Sequence, residues 1–341
     1  MKPILFNLTP AELEKYIADM GHPRFRAKQI SEWLNRGAPD FSVMKNLPED
    51  LRRDLDGAAD ALPVRIIKKL ESSDGQTSKF LLELQDGEQI ECVLMRTSYG
   101  NSVCVSSQAG CAMGCKFCAS TLLGLKRNLT ADEMYAQVLI ANWQLKYTGN
   151  VSHIVVMGTG EPLQNTENLI EFIGRANKEL GIGWRRITVS TCGIVPGIKK
   201  LTDWGQPINL AVSLHAPNDE LRAQLMPINN KYKIAEVLSA AFECADKNNR
   251  QLMIEYILLA NVNDSPETAE ELTGLLRGRN CMVNLIPWNS VNEREFASPS
   301  GNTVHRFQDI LIKNGIHTRI RRERGTDIGS ACGQLRLHRK K

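Results

Sequence analysis

The segment Thr130–Pro162, TADEMYAQVLIANWQLKYTGNVSHIVVMGTGEP, holds the reading that decides the fold. Thr130 followed three residues on by Glu133 is a capping box, in which each side chain satisfies a backbone N–H that the first helical turn leaves without a partner. The helix it opens is predicted over 131–147. His153–Met157 then reads as a short apolar, β-branched strand, and Gly158-Thr159-Gly160-Glu161-Pro162 closes it as a glycine-rich turn.

The same alternation repeats outward from this unit. Further strands are predicted at Val103–Ser107, Ile187–Thr191, Ile208–His215, Leu252–Leu259 and Val283–Pro287, and amphipathic helices at 167–180, 233–247, 265–278 and 303–314. Repeated strand–helix units imply a parallel sheet with right-handed crossovers. Six units are too few for the closed eight-stranded barrel, so the predicted fold is α/β, a partial (β/α)6 barrel. Ligands in such sheets collect at the carboxyl ends of the strands.

Upstream the pattern changes. Residues 1–60 read as a small helical accessory domain, with Thr9-Pro10 as an N-cap followed by proline in the first turn. Helices are predicted at 24–36 and 48–57. Residues 61–96 read as a β-hairpin region, RIIKKLE, KFLLELQ and QIECVLMR, turning at Asp74-Gly75 and Asp86-Gly87. The core then spans 97–335, and 336–341 form a basic tail.

At 341 residues and 42% apolar composition the chain can bury a sizeable core, and its net charge of +4 permits a nucleic-acid partner without demanding one. The chain reads without a signal peptide or a run of about 18 apolar residues, so it is expected to be cytoplasmic with no membrane partner. In that reducing compartment nine cysteines favour metal or redox chemistry over structural disulfides.

Three of the nine stand together, in Cys111-Ala-Met-Gly-Cys115-Lys-Phe-Cys118, just after the first barrel strand. Thiolates at C-x3-C-x2-C spacing can hold three corners of an iron–sulfur cube and leave the fourth iron open. A structural zinc site is the alternative, but it wants four closed ligands, and no fourth Cys or His follows at finger spacing. The turn at 158–162 is a weak dinucleotide fingerprint, since Leu163 stands where the third glycine belongs. A glycine turn followed by Glu161 suits instead a ligand with a protonated amine. Ser190, Ser213-Leu214-His215 and Asn289 fall where strand ends meet loops, although lone residues there are more often satisfied turn residues than ligands.

The cysteine triplet resembles the radical S-adenosylmethionine (SAM) signature, and GTGEP resembles the motif that holds the SAM amino group. More narrowly, CVSSQAGCAMGCKFCAS, KRNLTADE, GTGEPL, SLHAPNDE, MPIN, NLIPWN and ACGQL resemble, in order, the RlmN/Cfr family of RNA adenosine methyltransferases over about residues 20–335. Ile286-Pro287-Trp288-Asn289 looks like the RlmN branch. The resemblance implies a [4Fe–4S] cluster on Cys111, Cys115 and Cys118, and SAM held by Gly160, Glu161, Ser190, Ser213, Leu214, His215 and Asn289.

It also implies methylation of adenosine C2 in 23S rRNA and tRNA. A methyl group first placed on Cys332 becomes a methylene radical that adds to the adenine, and Cys104 then resolves the adduct through a transient disulfide. Glu91 matches the general base, although a carboxylate on an alternating strand is usually a solvated face residue. The further implications are a low-potential electron donor of the flavodoxin or ferredoxin type, and a monomer. A Cfr-like C8 methyltransferase and a non-catalytic RNA-binding or redox-sensing protein are the alternatives.

Departures from the family pattern are Thr159, where methionine is common, and Gly329-Ser330, in place of an acidic–alanine pair. Cys92, Cys192, Cys244 and Cys281 are read as inert buried thiols. Candidate RNA-backbone contacts are Arg24, Arg26, Lys28, Lys126, Arg127, Arg319, Arg321, Arg322 and Arg324.

Overall fold

The computed structural model describes residues 2–321 and 324–336, so Arg322 and most of the 336–341 tail lie outside the described residues. Three helices come first, α1 (Pro10–Asp19), α2 (Arg26–Asn35) and α3 (Glu49–Ala58), then three strands, β1 (Val64–Glu71), β2 (Thr77–Leu84) and β3 (Gln89–Thr97). The Thr9 hydroxyl accepts from Glu12 N–H, and Glu12 returns a bond to Thr9 N–H at 2.8 Å, so α1 starts as its capping residues dictate. Gly75 and Gly87 sit at φ 66° and 80° in the two hairpin turns.

Next come β4 (Gly100–Cys104), β5 (Gln108–Gly110), β6 (Leu125–Asn128), α4 (Ala131–Gln144), β7 (Val151–Val156), α5 (Thr166–Leu180), β8 (Ile187–Thr191) and α6 (Val195–Trp204). They are followed by β9 (Asn209–Ser213), α7 (Asp219–Leu225), α8 (Ile234–Lys247), β10 (Leu252–Leu258), α9 (Pro266–Leu276), β11 (Cys281–Pro287), α10 (Gly301–Lys313) and β12 (His317–Ile320). Among the described residues the main sheet runs β1-β2-β3-β4-β7-β8-β9-β10-β11-β12. From β4 to β12 every neighbour is parallel, and β1, β2 and β3 continue the sheet antiparallel at one edge. The small β5–β6 ladder frames the loop that carries Cys111, Cys115 and Cys118.

The parallel set thus has seven strands, one more than the six predicted. The seventh, β12, is a four-residue edge strand reading HTRI, whose alternating exposure leaves no apolar run to read. The first strand also differs from Val103–Ser107. Its ladder begins at Gly100 and gives way beyond Val105, where Gln137 of α4 bonds both Ser106 N–H and Ser106 C=O at 2.9 Å in place of a neighbouring strand. Helix α6 escapes the periodicity because Pro196 and Gly197 sit in its first turn, a position proline tolerates.

Helix α4 is buried on nearly every side rather than amphipathic. One side covers the sheet and the other receives the N-terminal helices. Phe6 stacks on Tyr135 with ring centroids 6.0 Å apart, and Arg175 lies over both rings.

Candidate active site

A cleft lies at the carboxyl ends of the parallel strands. Cys111, Cys115 and Cys118 line it from the loop between β5 and β6, Gly160 and Glu161 from the turn after β7, and Ser190 and Cys192 from the end of β8. Ser213 closes β9 and His215 follows it, Glu255 and Ile257 belong to β10, Ile286 to β11, and Arg321 follows β12. Strands β7 through β12 all face this one volume, which only a strongly curved sheet permits.

The turn after β7 is built for close approach. A Cβ at Gly158 would meet Ser106 at 2.6 Å, and one at Gly160, which sits at φ 111°, would meet Gln108 at 2.6 Å. Glu161 is buried, and its carboxylate is already engaged. It accepts from Thr191 Oγ1 at 2.7 Å, Cys192 N–H at 2.8 Å and Leu163 N–H at 3.0 Å. Burial raises its pKa and these bonds oppose the rise. It therefore ties the β7 turn to the β8 end and gives the cleft floor a fixed shape.

Ser190 and Ser213 face each other with 3.4 Å between hydroxyls. His215 stands edge-on to Phe117, and its Nδ1 accepts from Ile257 N–H at 3.0 Å, which leaves the proton on Nε2. Burial pushes its pKa down to about 3, so the ring is neutral. Leu214 does not line the cleft. Its side chain is in the core, its N–H bonds Glu255 C=O, and its C=O accepts from Arg222.

The segment after Gly325 folds back over the cysteine loop. Ala119 N–H donates to Gly333 C=O at 2.8 Å, Ser120 Oγ to Leu335 C=O at 2.7 Å, and Asn289 Nδ2 to Cys332 C=O at 3.2 Å. Asn289 thus holds the backbone of Cys332, and its Oδ1 is buried without a hydrogen bond. A second cavity, lined by Met95, Tyr99, Asn289, Arg324 and Ala331, shares Ile286, Arg321 and Cys332 with the first, so Cys332 stands in the partition between them.

Cys104 is buried beside Val93 and Leu335. Burial, and then the charge of Cys332, pushes its thiol up to about 12, against the opposing Arg321. Glu91 lies behind the loop and is not among the residues lining either cavity. Its Oε1 is 3.0 Å from Lys79 Nζ and its Oε2 accepts from Arg336 N–H at 2.9 Å.

Arg321 is the principal residue whose place the sequence does not suggest. Its guanidinium lines both cavities beside Cys332. The facing Cys332 raises its pKa against burial, and its Nη1 lies 3.7 Å from Glu255 Oε2. Glu255 is buried, Asn284 donates to its Oε1 at 2.9 Å, and its Oε2 has no hydrogen bond. The available signal was a carboxylate inside the apolar run LMIEYILL. Arg127 is half-buried, forked onto Glu133 and paired with Asp86.

The cysteine loop fits the cluster. Burial raises all three thiols and the charge of Cys118 adds to the rise at Cys111 and Cys115, so a cationic centre is what would hold them as thiolates. Among the described residues no three His, Cys, Asp or Glu side chains converge on one ion position. Three thiolates at C-x3-C-x2-C spacing would suit an iron–sulfur cube, which can keep one corner open, better than a closed zinc site, which wants four ligands.

Comparison with known proteins agrees. Residues 105–272 match the model of the radical SAM superfamily, and residues 4–60 that of the ribosomal RNA large subunit methyltransferase N-terminal domain. A protein of Symbiobacterium thermophilum, described as "Probable dual-specificity RNA methyltransferase RlmN", is 48% identical over 95% of this chain and 89% of its own. One of the same description from Geobacillus thermodenitrificans is 49% identical over 99% and 94%. The crystal structure of a radical SAM methyltransferase from Sphaerobacter thermophilus superposes with a TM-score of 0.86 at 44% identity, covering 98% of this chain and 99% of that one. Identity of this depth along nearly the whole length, joined to three thiols gathered in one cleft at the mouth of a curved parallel sheet, makes the chain a member of the RlmN family of radical SAM methyltransferases, which work with a [4Fe–4S] cluster and SAM.

Proposed function

We propose that this enzyme methylates C2 of adenosine in RNA, acting on the peptidyl-transferase-centre adenosine of 23S rRNA and on the adenosine 3′ to the anticodon in tRNA. The relatives' description as dual-specificity RNA methyltransferases supports two RNA classes. C2 lies between two ring nitrogens and is too electron-poor for polar attack on a methyl donor. When bound, the cluster and SAM supply a methyl group and a 5′-deoxyadenosyl radical that abstracts hydrogen. Cys111, Cys115 and Cys118 would hold the cluster. Gly160, Glu161, Ser190, Ser213 and His215 would shape the SAM site, with Leu214 and Asn289 supporting it from behind.

The observation that carries this reading is the position of Cys332, which faces both cavities and lies within electrostatic reach of Cys104. In the proposal Cys332 sulfur carries the methyl group and, through it, joins the base. Glu91 takes the C2 proton once Arg336 N–H leaves it, and the one electron that the adduct must also give up would pass back to the bound cluster. Cys104 thiolate then attacks Cys332 sulfur. An S–S bond forms, the sulfur–carbon bond breaks with its electrons going to the methylene carbon, and that carbon gains a proton as the methylated base departs. The helical domain at 1–60 would help grip RNA, and a flavodoxin- or ferredoxin-like donor would reduce the monomeric enzyme.

The test is Cys104→Ala incubated anaerobically with SAM, reductant and RNA. A covalent protein–RNA adduct through Cys332 is expected, and its absence would remove the resolving role. Digested RNA from the wild-type reaction should contain 2-methyladenosine; 8-methyladenosine would move the enzyme to the Cfr-like reading.

A further inference from the structure

Arg222, on α7, has no part in the chemistry described so far, yet it is fully buried, the largest such side chain among the described residues. Its guanidinium donates to Leu214 C=O at 3.1 Å, Asn229 Oδ1 at 3.0 Å, Cys192 C=O at 2.7 Å and Ser213 C=O at 3.2 Å. Every one of these partners is neutral. Hydrogen bonds satisfy the donors, but they do not neutralise a buried unit charge, which ordinarily requires a counter-ion. Burial accordingly pulls its pKa below the ordinary arginine value. Asp219 acts on it through space but spends Oδ1 on Ile234 N–H.

The missing negative charge has an evident place. Leu221, Leu225 and Met226 of the same segment pack in one cluster with Cys111 and Cys115, and Leu225 C=O accepts from Lys116 N–H of the cysteine loop at 3.0 Å. Cys192, whose carbonyl Arg222 bonds, lines the cleft alongside Cys111 and Cys115. Three thiolates give an oxidised [4Fe–4S] centre one net negative charge, and one-electron reduction doubles it. We infer that Arg222 is the fixed counter-charge of the cluster, held just outside the SAM cleft, and that it makes the cluster easier to reduce. It is a positioning residue that touches neither SAM nor RNA. The inference rests on the cluster reading and concerns the electron rather than the methyl group.

The test is a redox titration of the anaerobic holoenzyme followed by electron paramagnetic resonance, with iron and sulfide counted per chain. At the wild-type midpoint, Arg222→Gln should lower the reduced-to-oxidised ratio about tenfold, equivalent to 59 mV for one electron. Arg222→Lys should recover most of that ratio. Asp219→Asn, which keeps an acceptor for Ile234, should move the ratio the opposite way. Loaded variants with the wild-type midpoint would make Arg222 a structural strut and overturn the inference. If Arg222→Gln does not fold, Asp219→Asn decides alone, and an unchanged midpoint there overturns it. A wild-type protein that takes up no iron would instead defeat the cluster reading.

Discussion

Lys79, half-buried, and Glu91, buried, form an ion pair 3.0 Å apart that grips the Cys332 segment at both ends. Lys79 Nζ also donates to Gly329 C=O at 3.0 Å, while Glu91 accepts from Arg336 N–H. Removing the cation would strand a carboxylate in the protein interior. Lys79→Met should destabilise the fold by about 3 kcal/mol, the scale for breaking a buried pair from one side. Urea unfolding measures the loss, and proteolysis should become faster within 324–336. Unchanged unfolding would mean that solvent already screens the pair.

Acid should weaken the fold through His215. The unfolded imidazole binds a proton below about pH 6.5, but the buried ring resists until about 3. The unfolded state therefore holds more protons between those values, and stability falls as pH drops, by at most about 1.4 kcal/mol per unit. His215→Gln should flatten this limb between pH 6 and 4 in thermal melts. An equal slope in both proteins would assign the acid sensitivity elsewhere.

Resolution by Cys104 should be slow and strongly pH-dependent. Burial, the larger cause of its raised pKa, persists in the adduct, where the Cys332 sulfur is alkylated and carries no charge, so the thiolate fraction grows about tenfold per pH unit through neutrality. Breakdown of the protein–RNA adduct, followed in a single turnover from pH 7 to 9, should accelerate in proportion. A flat profile would point to an internal base removing the thiol proton.

Gly160→Ala should damage SAM binding more than folding. The added methyl group meets Gln108 at 2.6 Å, at a φ that side chains rarely adopt. Relief requires the turn to shift, which moves Glu161 and the glycine carbonyls together. Calorimetry on loaded protein should show SAM affinity at least about tenfold weaker, the scale of a lost hydrogen bond. Unaltered affinity would remove the turn from the SAM site.

Much of this was legible in the residues. Thr130 and Glu133 announced their helix, the apolar runs announced their strands, and Cys111, Cys115 and Cys118 lie together in one cleft as their spacing implied. The misses have physical causes. β12 is too short and too polar to leave a periodic trace, and α4 lost its polar face because it is covered on two sides. Arg321 carries the composition of an RNA-facing arginine, and only the third dimension turns it toward Cys104 and Cys332. Arg222 was hidden in a helix start rich in charge, where burial has no one-dimensional signature.

The bonds that seat the Cys332 segment join residues far apart along the chain, 215 positions for Ser120 and Leu335 and 245 for Glu91 and Arg336. Closing such long loops costs entropy that local pairings do not. During synthesis the strands and their helices can therefore assemble while the thiol pocket still lacks its lid. A prematurely terminated chain would display reactive cysteines on an otherwise finished body, which makes residues 329–336 a late seal against stray metal and oxidant.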